Sequence, residues 1–399
     1  MTGSRRTIAG LSAAHLVTDL YGPGLPAIIS LLILRFGYSY FAAGLLVTVY
    51  NAVSSLAQPG IGWVHDRKGR QLPLPLSILL CGVFISLLGV APGFGAMLLF
   101  CGIAALGHAA FHPVALSLTG SGATDENRGR LISYFVVGGN LGFALGPLAA
   151  GAAIELLGQE GILLMALPAI AMALALPVLL RGQVRTGRGV GGPAAPRPAV
   201  PWVPVTILVT GASLRSMVIF GSIAFLPTYL AGTGFDLFTA NGLLTLTLLA
   251  GVGGQVLGGA FSDRSGRKET ILAGMAGTAL FLAGFLVLPP PWNLPSLLLF
   301  GFALWSSFSV TLAIAHEFLP ADLGLASGLL LGLSMGVGGL GVALIGWIGD
   351  SFGLFGAFEA LLGITLIAIP FFVFLPYPWK GRVHRNPTLS DPPSGGVRP

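Results

Sequence analysis

Along the chain, apolar residues gather in blocks of about 20 or more, separated by short breaks that carry charge, Gly or Pro. A block of that length, wound as a helix, crosses a hydrocarbon core of about 30 Å. The pattern predicts twelve spans, at 8–34, 39–64, 71–91, 94–119, 129–157 and 161–180, then 203–231, 237–261, 269–289, 294–319, 324–349 and 353–377. The short alternating segments of a lipid-facing β-barrel do not occur. The expected fold class is an all-α polytopic membrane protein.

The spans form two sets of six. Between them lies Arg181–Pro201, rich in Gly and Pro and carrying Arg181, Arg185, Arg188 and Arg197. It has no helical period and nothing to pack, so it reads as a flexible linker. The expected organisation is a six-helix bundle over 1–180, a linker over 181–201, a second bundle over 202–378 and a disordered tail over 379–399.

Composition strengthens this picture. Apolar residues make up 54% of the 399 and charged residues only 9%, against about a quarter charged in soluble domains. That much apolar surface must face lipid. The 60 glycines suit helices that approach closely in a bilayer. Cys81 and Cys101 both fall inside apolar runs, which excludes a disulfide framework. Arg5 and Arg6 precede an apolar stretch, but that stretch carries His15 and Asp19 and runs too long for a cleaved signal.

A net charge of +6 suggests nucleic acid only until the charges are mapped. Eighteen of the 20 Lys and Arg residues fall in the tails and the even-numbered connections, with Arg35 on the opposite side and Arg215 deep in a span. By the positive-inside rule both termini and the linker are cytoplasmic, in an inner membrane. Nucleic acid is not an expected partner; lipid is, and the chain is expected to act as a monomer.

The halves repeat a motif. Gly62, Asp66, Arg67, Gly69 and Arg70 close the second span; Gly259, Asp263, Arg264, Gly266 and Arg267 close the eighth, 197 residues later. One such charged turn is a weak signal, but two at equivalent places in two six-span halves are a strong one. The pattern resembles the signature of the major facilitator superfamily. That resemblance implies two six-helix bundles rocking about a central site, with these turns as a conformational gate. The aspartate would hold arginines and a neighbouring helix end in one conformation and release them in the other. Gly142, Gly146, Pro147 and Gly151 in span five resemble the glycine–proline motif of the superfamily's antiporters. A plain small-residue packing face reads equally from the same residues.

Further stretches narrow the resemblance: His15–Asp19, Phe111-His112-Pro113, Val137–Gly142, Leu214-Arg215-Ser216, and His316-Glu317-Phe318-Leu319-Pro320 on to Gly341. Together they resemble the fosmidomycin-resistance family of drug exporters over nearly the whole chain. The resemblance implies export of a small phosphonate antibiotic or other toxic compound in exchange for protons. One position departs: the glutamate that usually follows Phe-His-Pro is Val114 here.

Charge inside a span costs about 2.5–3.5 kcal/mol at the helix centre, so such residues face a cavity or a partner. His15 and Asp19 share a face of span one, and His108 and His112 share a face of span four. Arg215 lies midway along span seven. In the facilitator architecture these spans line the cavity, so all five are expected to converge. Asp19 and His15 are then the proton-coupling residues, and Arg215, His108 and His112 bind substrate. Two plainer readings stand beside this one: neutral packing histidines, and Arg215 as the ion-pair partner of Asp19. Glu317, near the cytoplasmic end of span ten, reads as an interfacial ion pair as readily as a functional acid. Glu359 in span twelve stays unassigned. Histidines and an acid on separate helices do not establish a metal site, and none is expected.

The expected function is secondary transport by alternating access, most simply export of a small polar or anionic compound, needing no cofactor and driven by the proton gradient. An importer or facilitator of a metabolite would use the same fold. A membrane-embedded enzyme would cluster acids or histidines at an interface, and the duplicated turns speak instead for a gate.

Overall fold

The structure is a computed structural model. It describes residues 2–68, 72–121, 128–180, 200–320 and 322–379, except the side chains of 2–5, 65–68, 120–121, 128–129 and 323. The first half comprises α1 (Thr2–Asp19), α2 (Tyr21–Phe36), α3 (Tyr40–Lys68), α4 (Leu74–Ser86), α5 (Phe94–Ser121), α6 (Arg128–Leu157) and α7 (Ala166–Leu179). The second comprises α8 (Trp202–Gly232), α9 (Leu237–Ser265), α10 (Arg267–Val287), α11 (Asn293–Ser306), α12 (Phe308–Phe318), α13 (Leu323–Ser327) and α14 (Met335–Val373). No strand occurs among the described residues.

Among the described residues nine apolar segments are long enough to cross a membrane, and Leu74–Val90 is a shorter one. Two of the nine, 130–179 and 324–373, are 50 residues long. Each turns at a left-handed glycine, Gly158 (φ 63°) and Gly353 (φ 77°), a conformation that residues with a Cβ avoid. With those turns the chain makes the twelve crossings read from the sequence.

The crossings are less regular than that reading. Span one is two helices, α1 and α2, because Pro23 has no N–H to give the carbonyl of Asp19, four residues back. Span ten breaks at Ser307, between α11 and α12. Span three ends in a 3-10 turn, Leu87–Val90; span six begins in one, Gly158–Met165; a π-helical stretch, Gly328–Ser334, leads into span eleven.

One apolar core runs through both halves, from Leu11 to Leu361. A second, around Val205, Met275, Ile314 and Phe372, belongs to the second half alone. The hydrogen bonds that join the halves gather toward the charge-poor end. Asp350 of α14 accepts from the amides of Tyr40 (2.7 Å) and Phe41 (2.9 Å), at the start of α3. Ser30 meets Thr228 (2.7 Å), and Leu148 N donates to Thr245 (3.2 Å). Deeper in, Thr48 donates to Gly339 O (2.9 Å) and accepts from Ala343 N (3.1 Å). The halves are thus tied together at the charge-poor end, while the second core packs within its own half toward the charged end.

Candidate functional site

The break after Asp19 leaves this carboxylate at the end of α1, about midway through span one. His15, one turn earlier, places Nε2 3.0 Å from Oδ2. From α5, His112 Nε2 stands 3.2 Å and His108 Nε2 3.5 Å from Oδ1. Three histidines therefore surround one acid.

The far side of each ring fixes what it offers Asp19. His15 Nδ1 lies 2.8 Å from the carbonyl of Phe135, and His112 Nδ1 lies 3.0 Å from the carbonyl of His108. A carbonyl only accepts, so both Nδ1 atoms carry the proton. A neutral ring then presents a bare Nε2 to a carboxylate, lone pair against charge. The arrangement is sound only with a cation in the gap, either a proton shared between Nε2 and the carboxylate or another ion. Asp19 Oδ1 receives no well-directed hydrogen bond, although both α5 histidines approach it. His108 Nδ1 meets Ser54 Oγ at 2.8 Å, where either atom can donate. Phe135 stacks on His15 at 4.0 Å between ring centroids, and the cluster is partly open, with His112 26% exposed.

The glycines of span five hold this cluster. A Cβ on Gly142 would lie 2.0 Å from Leu16 O, on Gly146 2.4 Å from Leu20 O, and on Gly138 2.3 Å from Ser12 O. One on Gly139 would meet His15 and Asp19 themselves, at 2.4 and 2.8 Å. This face of α6 lets the backbone of α1 approach and leaves room for the acid and its histidine. Gly151 points elsewhere, to Asn241 of the other half, and Pro147 lies within α6 between the two contacts.

Arg215 corrects one expectation. It does not join the other four: Nη1 donates to Thr311 (2.7 Å) and Ser307 (3.2 Å), at the break in span ten, and the guanidinium lies 5.4 Å from the centre of the Phe308 ring. Arg215 is 2% exposed, and its Nε has no partner. Among the described residues no ion pair includes it, so it is not the partner of Asp19 in this conformation. A buried cation with neutral donors and acceptors around it is half of an anion site. Ser307 and Thr311 carried no sequence signal, because a hydroxyl in an apolar span usually bonds its own helix. Val114 lies buried in the common core.

The gate motifs are described unevenly. Gly62 lies in α3, 3.9 Å by its would-be Cβ from Pro113, whereas Gly69 and Arg70, with the side chains of Asp66 and Arg67, lie outside the described residues. In the second copy Asp263 is exposed. Arg264 borders a cavity of about 460 Å³ lined by Leu257, Phe261, Phe281 and Phe302. Gly259 faces Ser309, and Gly266 takes a positive φ of 105° between α9 and α10. Arg267 pairs with Glu317 at 2.8 Å, and the Tyr377 hydroxyl donates to the other carboxylate oxygen. Burial first, and then that bond, push Tyr377 up to about 12. Glu317 is therefore one member of an interfacial network.

Comparison with known proteins agrees with this fold. The family model of the Major Facilitator Superfamily matches residues 8–339. The fosmidomycin resistance protein of Escherichia coli is 31% identical over 382 residues, covering 91% of this chain and 92% of its own. The cis,cis-muconate transport protein of Acinetobacter baylyi is 25% identical over 345 residues, 80% of this chain and 82% of that one. In fold, the chain is similar to a bacterial homologue of the human lysosomal transporter Spinster in its inward-facing, occupied conformation. The TM-score is 0.78 at 16% identity, over 92% of this chain and 96% of that one. The chain belongs to the major facilitator superfamily of membrane transporters.

Proposed function

We propose that this transporter is a proton-coupled exporter of a small anionic compound. The observation that carries the proposal is the division of charge between the halves. Asp19 and three histidines gather in the first half, and in the second Arg215 is buried among neutral partners with no carboxylate beside it among the described residues. An anion is the missing partner of Arg215, and a proton is the simplest cation for the bare Nε2 atoms around Asp19. Muconate, the compound named for one relative, is a dicarboxylate; fosmidomycin, named for another, is a small phosphonate. Both carry the charge that Arg215 would attract.

The charged end, bearing the termini and the linker, is taken as cytoplasmic from the positive-inside rule. With the halves tied at the other end, the conformation faces the cytoplasm. Substrate would enter from that side, with protons released there and taken up again from outside. The glycine–proline face of α6 belongs to this antiport reading because it supports the helix that carries Asp19. Import of an organic-acid metabolite would use the same site in the opposite direction.

The test has two stages. A pump-deficient host expressing the chain is screened for lowered susceptibility, with fosmidomycin among the compounds. Purified Asp19→Asn protein in proteoliposomes is then given a pH difference and the compound so found. Uphill transport should be lost while exchange of labelled for unlabelled substrate persists. Substrate still concentrated by the variant would place the coupling site elsewhere, with His112 next to be examined.

A further inference from the structure

We propose that His15, Asp19 and His112 form a binding site for a divalent transition-metal ion of the zinc class, with His108 beside its fourth position. Their donor atoms lie within 4.8 Å of one another. Asp19 stands 3.0 Å from His15 Nε2, 3.2 Å from His112 Nε2 and 3.5 Å from His108 Nε2. Bonds of about 2.0–2.1 Å in a tetrahedral zinc site set neighbouring donors about 3.3 Å apart. The carboxylate-to-imidazole distances already have that spacing.

Ring orientation is the second, independent support. A metal-bound histidine gives its other N–H to a carbonyl or carboxylate, which fixes its tautomer and aims the lone pair at the metal. His15 does this through Phe135 O and His112 through His108 O. Both rings are therefore set with bare Nε2 atoms toward the Asp19 carboxylate, His15 at Oδ2 and His112 at Oδ1. Asp19 Oδ1, which accepts no well-directed hydrogen bond, is buried there. Gly139 leaves the space open, since any Cβ would press on His15 and Asp19.

Two imidazoles with one carboxylate suit zinc, nickel or copper(II); calcium and magnesium take all-oxygen shells. Three protein donors with a position left over make an exchangeable site, unlike the closed shell of a structural zinc. The four side chains are 9–26% exposed, so an ion can reach them. The sequence could not reveal this, because the ligands come from two helices about 90 residues apart in the chain.

Metal and proton would then compete for one gap, so a metal-loaded transporter could not exchange its proton there. That consequence rests on the proposed function; binding itself does not. The probe is Co²⁺, which shows an intense visible band when held tetrahedrally by nitrogen and oxygen donors. Full-length protein carrying a tag other than polyhistidine is titrated with Co²⁺ in detergent, and Zn²⁺ is then added. One equivalent of Co²⁺ should produce the band and Zn²⁺ should abolish it.

His15→Ala and His112→Ala should each weaken binding by roughly 100-fold or more. Replacing His65, His316 and His384 together, the three histidines outside the cluster, should leave it unchanged. The wild-type titration stands even if a cluster variant misfolds. No band from wild-type protein at excess Co²⁺ overturns the proposal, and so does a band that survives both cluster substitutions in folded protein. Should Zn²⁺ bind yet transport proceed unhindered, the site stands and the coupling role of Asp19 falls.

Discussion

Pro23 and Ser307 each break a span at the point where a buried ionic group is held. Pro23 ends α1 at Asp19, and Ser307, between α11 and α12, accepts from Arg215. At this scale the sequence displayed the actors but not their pairing. His15 with Asp19, and His108 with His112, were readable because residues four apart share a helix face. That the two pairs meet depends on how α1 and α5 pack. That Arg215 turns to Ser307 and Thr311 instead of Asp19 depends on a break no period records. Arg215→Lys keeps the charge but loses the planar fork. If Arg215 binds the substrate anion, KM should rise roughly 10- to 100-fold, as for loss of a charge-assisted hydrogen bond of about 1.5–3 kcal/mol. An unchanged KM in initial-rate transport assays would leave Arg215 a structural residue that ties span seven to span ten.

Glycine faces and a cross-half cap decide how the elements meet. Gly142 is the sharpest point of contact between α6 and α1, since a Cβ there would lie 2.0 Å from Leu16 O. Gly142→Ala should therefore lower stability by about 1–3 kcal/mol, the range for overpacking, and transport should fall with it. Gly363→Ala, with nothing within 4 Å, is the control, and thermal unfolding in detergent compares the two. The spacing of Gly142, Gly146 and Gly151 was legible as a small-residue face, but its partner was not. A second device passed unread. Gly346 and Asp350 repeat the Gly-x-x-x-Asp spacing of the two gate motifs at the opposite end of the helices, and Asp350 caps the first turn of α3 from the other half. An acid at a helix start satisfies amides that otherwise lack partners. Asp350→Ala should weaken the closure by about 1 kcal/mol, roughly a fivefold shift toward opening at the charge-poor end. Spin labels on Leu157→Cys and Phe238→Cys, in a background lacking Cys81 and Cys101, should then report a larger population of long distances. An unchanged distribution would mean that the cap does not hold this end shut.

For the whole molecule, hydropathy and charge carried most of the architecture. Twelve crossings and an all-α membrane fold could be read because every lipid-facing helix must satisfy its backbone internally and present apolar side chains. The direction in which the central space opens could not be read: it depends on which end of the bundles has packed, and a single sequence supports both states in turn. Orientation rests on charge asymmetry alone. A cysteine at position 188 should react with an impermeant thiol reagent only in inverted vesicles, and one at position 290 only in intact cells. Labelling of position 188 from outside would reverse the topology and with it the sense of opening. The central claim, that one half carries the coupling proton and the other the anion, is tested most directly by following both fluxes at once. Proteoliposomes of the wild-type protein, loaded with the compound found by the susceptibility screen, are placed in a gradient of that compound with no imposed pH difference. The account predicts that substrate leaving the vesicles draws protons in, seen with an internal pH dye, and that Asp19→Asn ends the proton flow while exchange continues. Substrate movement with no accompanying pH change in the wild-type vesicles would contradict it.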